Sequence, residues 1–304
     1  MRLETQRTAK ILCLTAIAMT AAGCTSDASA PPEPAEQAAS AASDSPGLRA
    51  TEKFMETWNT RDPEAYASSL NYPHARPSGW KVDEFRPHRI WQTRDEYLSG
   101  VDYAGVISTG WESTELEELR PIHEGDGKAH IAGRLGRVDR EGNTINRNLV
   151  TYVATRVDGH WGVQARFHAG APVEAELQES NAEIAVAKVE EYMTAFNSRD
   201  PQAWASTLHF PHLRLASGEV VVTETEEEFV ANIDFDAFAE RFGWDHSAWD
   251  AIEAIQVAEN AANVALTFRR YNAAGEVIST FNTLYLVTKE NDKWGISTRS
   301  SFAP

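Results

Sequence analysis

Two tandem α+β domains are the architecture this sequence predicts. Three features carry that expectation: a long internal repeat, helix punctuation early in each copy, and alternating apolar strands late in each copy. The stretch Asn59–Arg76, NTRDPEAYASSLNYPHAR, returns 138 positions later as Asn197–Arg214, NSRDPQAWASTLHFPHLR. From Met55 to Arg76, twelve of twenty-two residues are identical to their partners in the second copy. Past Arg76 the offset drops to 132, pairing Thr93 with Thr225 and Asp102 with Asp234. It then settles at 133, pairing Arg137 with Arg270, Tyr152 with Tyr285 and Arg166 with Arg299. A match over such a span is a duplicated domain, well above the period of a solenoid unit.

The order of elements reads the same in both copies. Phe54, Met55 and Trp58, and then Tyr192, Met193 and Phe196, fall at helical spacing. Asn59 and Asn197 are expected to end that helix, since Asn tolerates a left-handed cap. Asp62-Pro63 and Asp200-Pro201 start a second short helix, with Asp at the cap and Pro at the first position. Pro73 and Pro211 are expected to end it, before an extended piece. A third helix begins at Thr93 and Thr225, each opening a Thr-x-x-Glu capping box. The rest is strand: KAHIAGRLGRVD, NLVTYVATRVD and HWGVQARFHA, then NVALTFRRYN, STFNTLYLVTKE and KWGISTRSSF. Helices first and antiparallel strands after give α+β. ELEE at Glu115–Glu118 and EEE at Glu226–Glu228 read as solvated faces or helix starts.

The chain before the repeat reads as export and tether. Residues 1–24 have a basic start (Arg2, Arg7, Lys10), the apolar run Ile11–Ala22 and small residues leading to Cys24. AAGC resembles the lipobox of bacterial lipoproteins, which implies lipidation of Cys24 and a membrane anchored by that lipid alone. Thr25 after the cysteine implies, by the same resemblance, the outer membrane facing the periplasm. Cys13 would leave with the signal, so a single cysteine remains and no internal disulfide forms. Residues 25–48 are rich in Ala, Ser and Pro with no aromatic residue, a composition that stays disordered. The domains are placed at 49–172 and 178–304.

The 28 Lys and Arg against 45 Asp and Glu give a net charge of −17, which repels nucleic acid. There is no glycine-rich phosphate loop, nucleophile elbow or cysteine nucleophile, and no cofactor is expected. HFPH at His209–His212 has NYPH as its counterpart, so the histidine pair is not repeated and no metal site is expected. His88, His123, His130, His160, His168 and His246 occur singly and read as surface or satisfied polar residues.

Two helices, an extended piece, a third helix and long strands resemble the nuclear transport factor 2-like (NTF2-like) fold. FNSRDPQAWASTLHFPHLRLASG is similar to the opening of SnoaL-like, polyketide cyclase-like domains. The resemblance implies two cone-shaped domains, each with N-terminal helices packed on a curved antiparallel sheet around a pocket. It also implies that paired sheets could make an intramolecular pseudo-dimer. It does not choose a function, since such domains include isomerases, cyclases, dehydratases and non-catalytic modules.

The candidate site residues are His74 and Arg76, with their repeats His212 and Arg214. Two apart in a strand, each pair shares one face. An Arg beside an imidazole holds it neutral, and an Arg can grip a carboxylate. Three roles stay open: fixing the helix-to-sheet corner, binding a small apolar or carboxylate ligand, or acid–base catalysis by His74 or His212. Tyr66 and Trp204 are candidate ligand contacts that also suit a core. The leading expectation is non-catalytic binding of a small ligand or an envelope protein. The alternative is a SnoaL-like isomerase, cyclase or dehydratase using a pocket histidine. Asp102 and Asp234 fall near the end of the third helix, with no Tyr/Asp pair placed beside them. The copies diverge after Arg76, where the first is longer and more basic, so the two pocket mouths are expected to differ.

Overall fold

The computed structural model describes residues 45–78, 88–216 and 218–303. The signal segment, Cys24 and most of the tether lie outside the described residues, as does much of the divergent stretch after Arg76. Among the described residues, each copy has four helices and six strands in matching order. The first has α1 (Pro46–Asn59), α2 (Pro63–Ser68), β1 (Leu70–Pro77), β2 (His88–Trp91), α3 (Arg94–Ser99) and α4 (Tyr103–Ser108). Strands β3 (Ser113–Glu124), β4 (Lys128–Val138), β5 (Thr144–Val157) and β6 (His160–Gly170) complete it. The second has α5 (Ala175–Asn197), α6 (Pro201–Ala205), β7 (Leu208–Ala216), β8 (Glu219–Thr223), α7 (Glu226–Ala231) and α8 (Phe235–Phe242). It closes with β9 (His246–Val257), β10 (Ala261–Tyr271), β11 (Val277–Glu290) and β12 (Lys293–Ser301). Thus α1 starts inside the segment expected to be tether, and α5 starts before residue 178.

Most of the expected punctuation is present. Asp62 Oδ1 accepts from the backbone N–H of Glu64 at 2.9 Å, and Asp200 Oδ1 from that of Gln202 at 2.9 Å. Thr93 and Thr225 accept from Glu96 N and Glu228 N at 3.2 and 3.1 Å. Other expectations are corrected. The left-handed residues are Arg61 and Arg199, at φ 61° and 59°, and not the asparagines. Asn59 instead clamps β3 to α1, donating to Thr114 O at 2.8 Å and accepting from Thr114 N at 2.9 Å. Asn197 does the same with Ser247 at 2.7 and 2.9 Å. The second helix ends before Pro73 and Pro211, which lie within β1 and β7 after cis bonds. Asp102 and Asp234 do fall just past the end of the third helix, as expected. They cap a fourth, accepting from Gly105 N and Ala237 N at 2.8 Å.

The sheets run β2-β1-β6-β5-β4-β3 and β8-β7-β12-β11-β10-β9. Both are mixed, because β1 pairs with β6 and β7 with β12 in parallel, where an antiparallel sheet was expected. These pairs join a strand that follows the helices to the last strand of its copy, a long crossover that permits parallel pairing. ELEE is part of β3, an edge strand, and not a helix start; carboxylates on an edge block unwanted pairing.

Alternation along the strands divides two environments. Tyr152 and Val150 face the helices of the first copy, with Phe54, Tyr66 and Ile131. Val153, Ala165 and Phe167 face the other way and pack on Leu213, Leu215, Leu284 and Leu286 of the second sheet. Polar contacts cross the same face. Gln256 donates to Gly133 O at 2.8 Å, Asn263 to Phe167 O at 2.9 Å and Lys128 to Ser301 O at 2.7 Å. His123 and His130, expected to be single, pair through their Nδ1 atoms at 3.0 Å, and His130 Nε2 meets Ser300 Oγ at 2.9 Å. At an offset of 133, Gln256 and Asn263 stand in their places, joined at 2.9 Å.

Candidate functional site: two arginine-lined cavities

Each copy holds a cavity between its helices and the concave face of its sheet. The first measures about 410 Å³ and the second about 330 Å³. Both lie in the size range of small-molecule sites. Arg76, Arg137 and Arg166 line the first, with Arg89 added from β2. Arg214, Arg270 and Arg299, their repeats, line the second. Among the described residues, no carboxylate lines the second cavity. In the first, the carboxylate among the described lining residues is Asp102, which caps α4.

The strands place these cations. Arg76 and Arg166 alternate with Ala75, Ala165 and Phe167, whose side chains fill the contact between sheets, so the arginines point into the cone. Arg76 keeps exposed surface because it lines an open cavity. Desolvation by the surrounding protein, followed by repulsion from Arg166, still lowers its pKa to about 10. Burial first, then a neighbouring guanidinium, lowers Arg137 beside Arg166 and Arg214 beside Arg299. All remain cationic at neutral pH. Like charges gathered with little acidic compensation are relieved by an anion.

The structure separates the residues that the sequence singles out. Arg76, Tyr66, Arg214, Trp204 and His212 line the cavities, and His74 does not. His74 is fully buried, with Nδ1 3.0 Å from Val163 O, which ties β1 to β6. His212 Nδ1 sits 3.1 Å from Ile296 O, and its Nε2 accepts from Arg299 Nε at 2.9 Å. A carbonyl requires Nδ1–H, so both ring nitrogens of His212 are committed and neither is free to take a proton from a substrate. Burial first, then the adjacent arginine, holds both imidazoles well below the usual histidine range. His212 thus holds Arg299, whereas His74 ties strand to strand and its Nε2 has no hydrogen-bond partner among the described residues.

A phenol steadies the same arginine in each copy, from a different helix. Arg166 Nη1 donates to Tyr66 OH at 3.3 Å, whereas Arg299 Nη1 donates to Tyr192 OH. Residue 66 corresponds to Trp204, and Tyr192 to Phe54, so the hydroxyl has moved from α2 to the first helix of the second copy. Arg137, Arg166, Arg270 and Arg299 appear in the sequence as repeat matches. The signal that could have assigned them was their alternation with apolar residues on the same strands.

Residues 182–301 match the model of a family described as NTF2-like protein (DUF6841). No curated protein matches the chain. Among solved structures, a ketosteroid isomerase-like protein from Erwinia carotovora atroseptica is similar at 20% identity, over 40% of this chain and 95% of that one, with a TM-score of 0.31. An NTF2-like protein with a cystatin-like fold from Novosphingobium aromaticivorans gives 10% identity, 42% and 85% coverage and a TM-score of 0.36. An NTF2-like protein of unknown function from Shewanella oneidensis gives 17%, 38%, 94% and 0.30.

Proposed function

We propose that this protein, two NTF2-like domains in tandem, is a lipid-anchored binding protein of the bacterial envelope that holds small organic anions in its two cones. The observation that carries this reading is the convergence of Arg76, Arg137 and Arg166, and again of Arg214, Arg270 and Arg299, on cavities whose described lining residues include one carboxylate, Asp102. Guanidinium groups match carboxylate and phosphate geometry with paired donors. Aromatic walls such as Trp58 and Tyr97, or Phe196 and Trp249, suit an apolar body behind the acid group. Binding without turnover is favoured because both ring nitrogens of His212 are engaged and His74 does not line its cavity. The anchor would be the lipid on Cys24, and the covalent duplication would replace a homodimer packed sheet to sheet.

Cell fractionation joined to native mass spectrometry tests both halves. The wild type is expected with the outer membrane, and a Cys24→Ser variant in the soluble periplasm. That soluble form is expected to carry a small anion, released on gentle activation and missing after Arg76→Gln with Arg214→Gln. A wild type that stays soluble sinks the anchor. An adduct indifferent to both arginines sinks the binding site.

A further inference from the structure

We infer that the two cones have divided their ligands by charge: the first takes a dianion, and the second a monoanion. This rests on the reading of both cavities as anion sites and names what each selects.

The division follows from one set of positions. In the second cone Arg270 is sheathed by rings, with its guanidinium 5.0 Å from Phe238, 5.5 Å from Phe242, 5.7 Å from Phe268 and 5.1 Å from Phe281. Cation–π contacts of this kind partly compensate the charge and cover the faces of the group. Arg299 is held by His212 and Tyr192. In the first cone the cross-strand pair Phe268–Phe281 is replaced by Leu135–Asn148. The N-cap alignment of Asp102 with Asp234 sets Val106 opposite Phe238 and Tyr103 opposite Phe235. Tyr97 likewise stands where the second copy has Phe229, each four residues after its capping threonine. No aromatic ring covers Arg137 among the described residues, and Asn148 and His168 share its wall, joined at 3.1 Å. Arg89 adds a further guanidinium where β8 offers Val221.

Polar groups and uncovered guanidinium donors can pair two acid groups at once. Phenylalanine walls cannot, and a second carboxylate against them would be buried without partners. Conversely, a single acid leaves donors of the first cone unpaired. Sites built to hydrogen-bond a group discriminate strongly against ligands that lack it.

The test is calorimetric titration of the whole protein with naphthalene-2,6-dicarboxylate and 2-naphthoate, which share one ring system and differ by one carboxylate. Each is expected to prefer a single site per chain. Arg137→Gln is expected to weaken the dicarboxylate by about tenfold or more and 2-naphthoate by less than about threefold, the scale of one charge-assisted hydrogen bond. Phe281→Asn, read on protein whose melting confirms it is folded, is expected to open a second dicarboxylate site. Arg137→Lys provides a milder change should the glutamine variant unfold. Two equivalent sites for both probes, or equal weakening of both by Arg137→Gln, overturn the division and leave the anion sites standing. Failure of one probe alone to bind the wild type overturns the division, and failure of both overturns the underlying reading with it.

Discussion

Lowering the pH from 7.5 to 5 is expected to destabilise this protein. His74, His130, His168 and His212 are all buried. Burial is the first cause that holds each below its ordinary range, helped by Arg166, His123, Arg76 and Arg299 respectively, with His168 brought down to about 3. Above the unfolded value of about 6.5 both states are neutral and stability does not respond. Below it the unfolded chain binds protons that the folded chain refuses, so stability falls with pH until the folded values are reached. At pH 5, about 1.5 units below that value, the proton refused by His168 costs about 2 kcal/mol at 1.36 kcal/mol per unit. His74, His130 and His212 act in the same direction. His123, lowered to about 4 by burial, adds to the trend. Denaturant melts at pH 7.5, 6 and 5 measure it. A His123→Gln, His130→Asn variant copies the Gln256–Asn263 pair of the second domain and is expected to flatten the slope. A midpoint that does not move between pH 7.5 and 5 contradicts the description of these imidazoles.

The second large effect is at the contact between sheets. Phe167 is fully buried among Leu213, Leu215, Leu284 and Leu286 of the other domain. Phe167→Ala is expected to cost about 3–5 kcal/mol through lost transfer energy and a cavity that the two sheets cannot collapse. This corresponds to a fall in melting temperature on the order of 10 °C. Because the contact joins both domains, calorimetry should show one transition moving as a whole. Two transitions, with the second domain unaffected, would mean that each domain folds without the other and that duplication does not stand in for a homodimer.

The fold was legible where chemistry is local. The Asp-Pro caps, the Thr-x-x-Glu boxes and the alternating strands occur where the residues place them. The misread elements are those that tertiary context decides. Strand β3 carries ELEE, and a row of carboxylates signals water whether the backbone is helix or edge strand. The parallel pairing of β1 with β6 joins residues about ninety apart, Leu70 with Val163, and no local pattern encodes it. The asparagine of N-x-R-D-P has the chemistry of a cap, although its partner is a backbone group 55 residues away.

The site was half legible for the same reason. Spacing found His74-Arg76 and His212-Arg214, and the candidate contacts Tyr66 and Trp204 do line cavities. Spacing could not tell that His212 lines its cone while His74 does not. Arg166 and Arg299 join the site across the parallel strand pair, and Arg137 and Arg270 from two strands further along the sheet. The polar exchange of His123–His130 for Gln256–Asn263 was also hidden, since it needs the 133-residue offset and the sheet contact together.

The central claim is that the arginines of the cones recognise negative charge. It is tested most directly by calorimetric titration with 2-naphthoate and with 2-naphthamide, a neutral molecule of nearly the same shape. The carboxylate is expected to bind about ten- to a hundredfold more tightly. Added salt is expected to narrow the gap, and Arg76→Gln with Arg214→Gln to close most of it. An amide that binds as well as the carboxylate, or a carboxylate that does not bind at millimolar concentration, would contradict it.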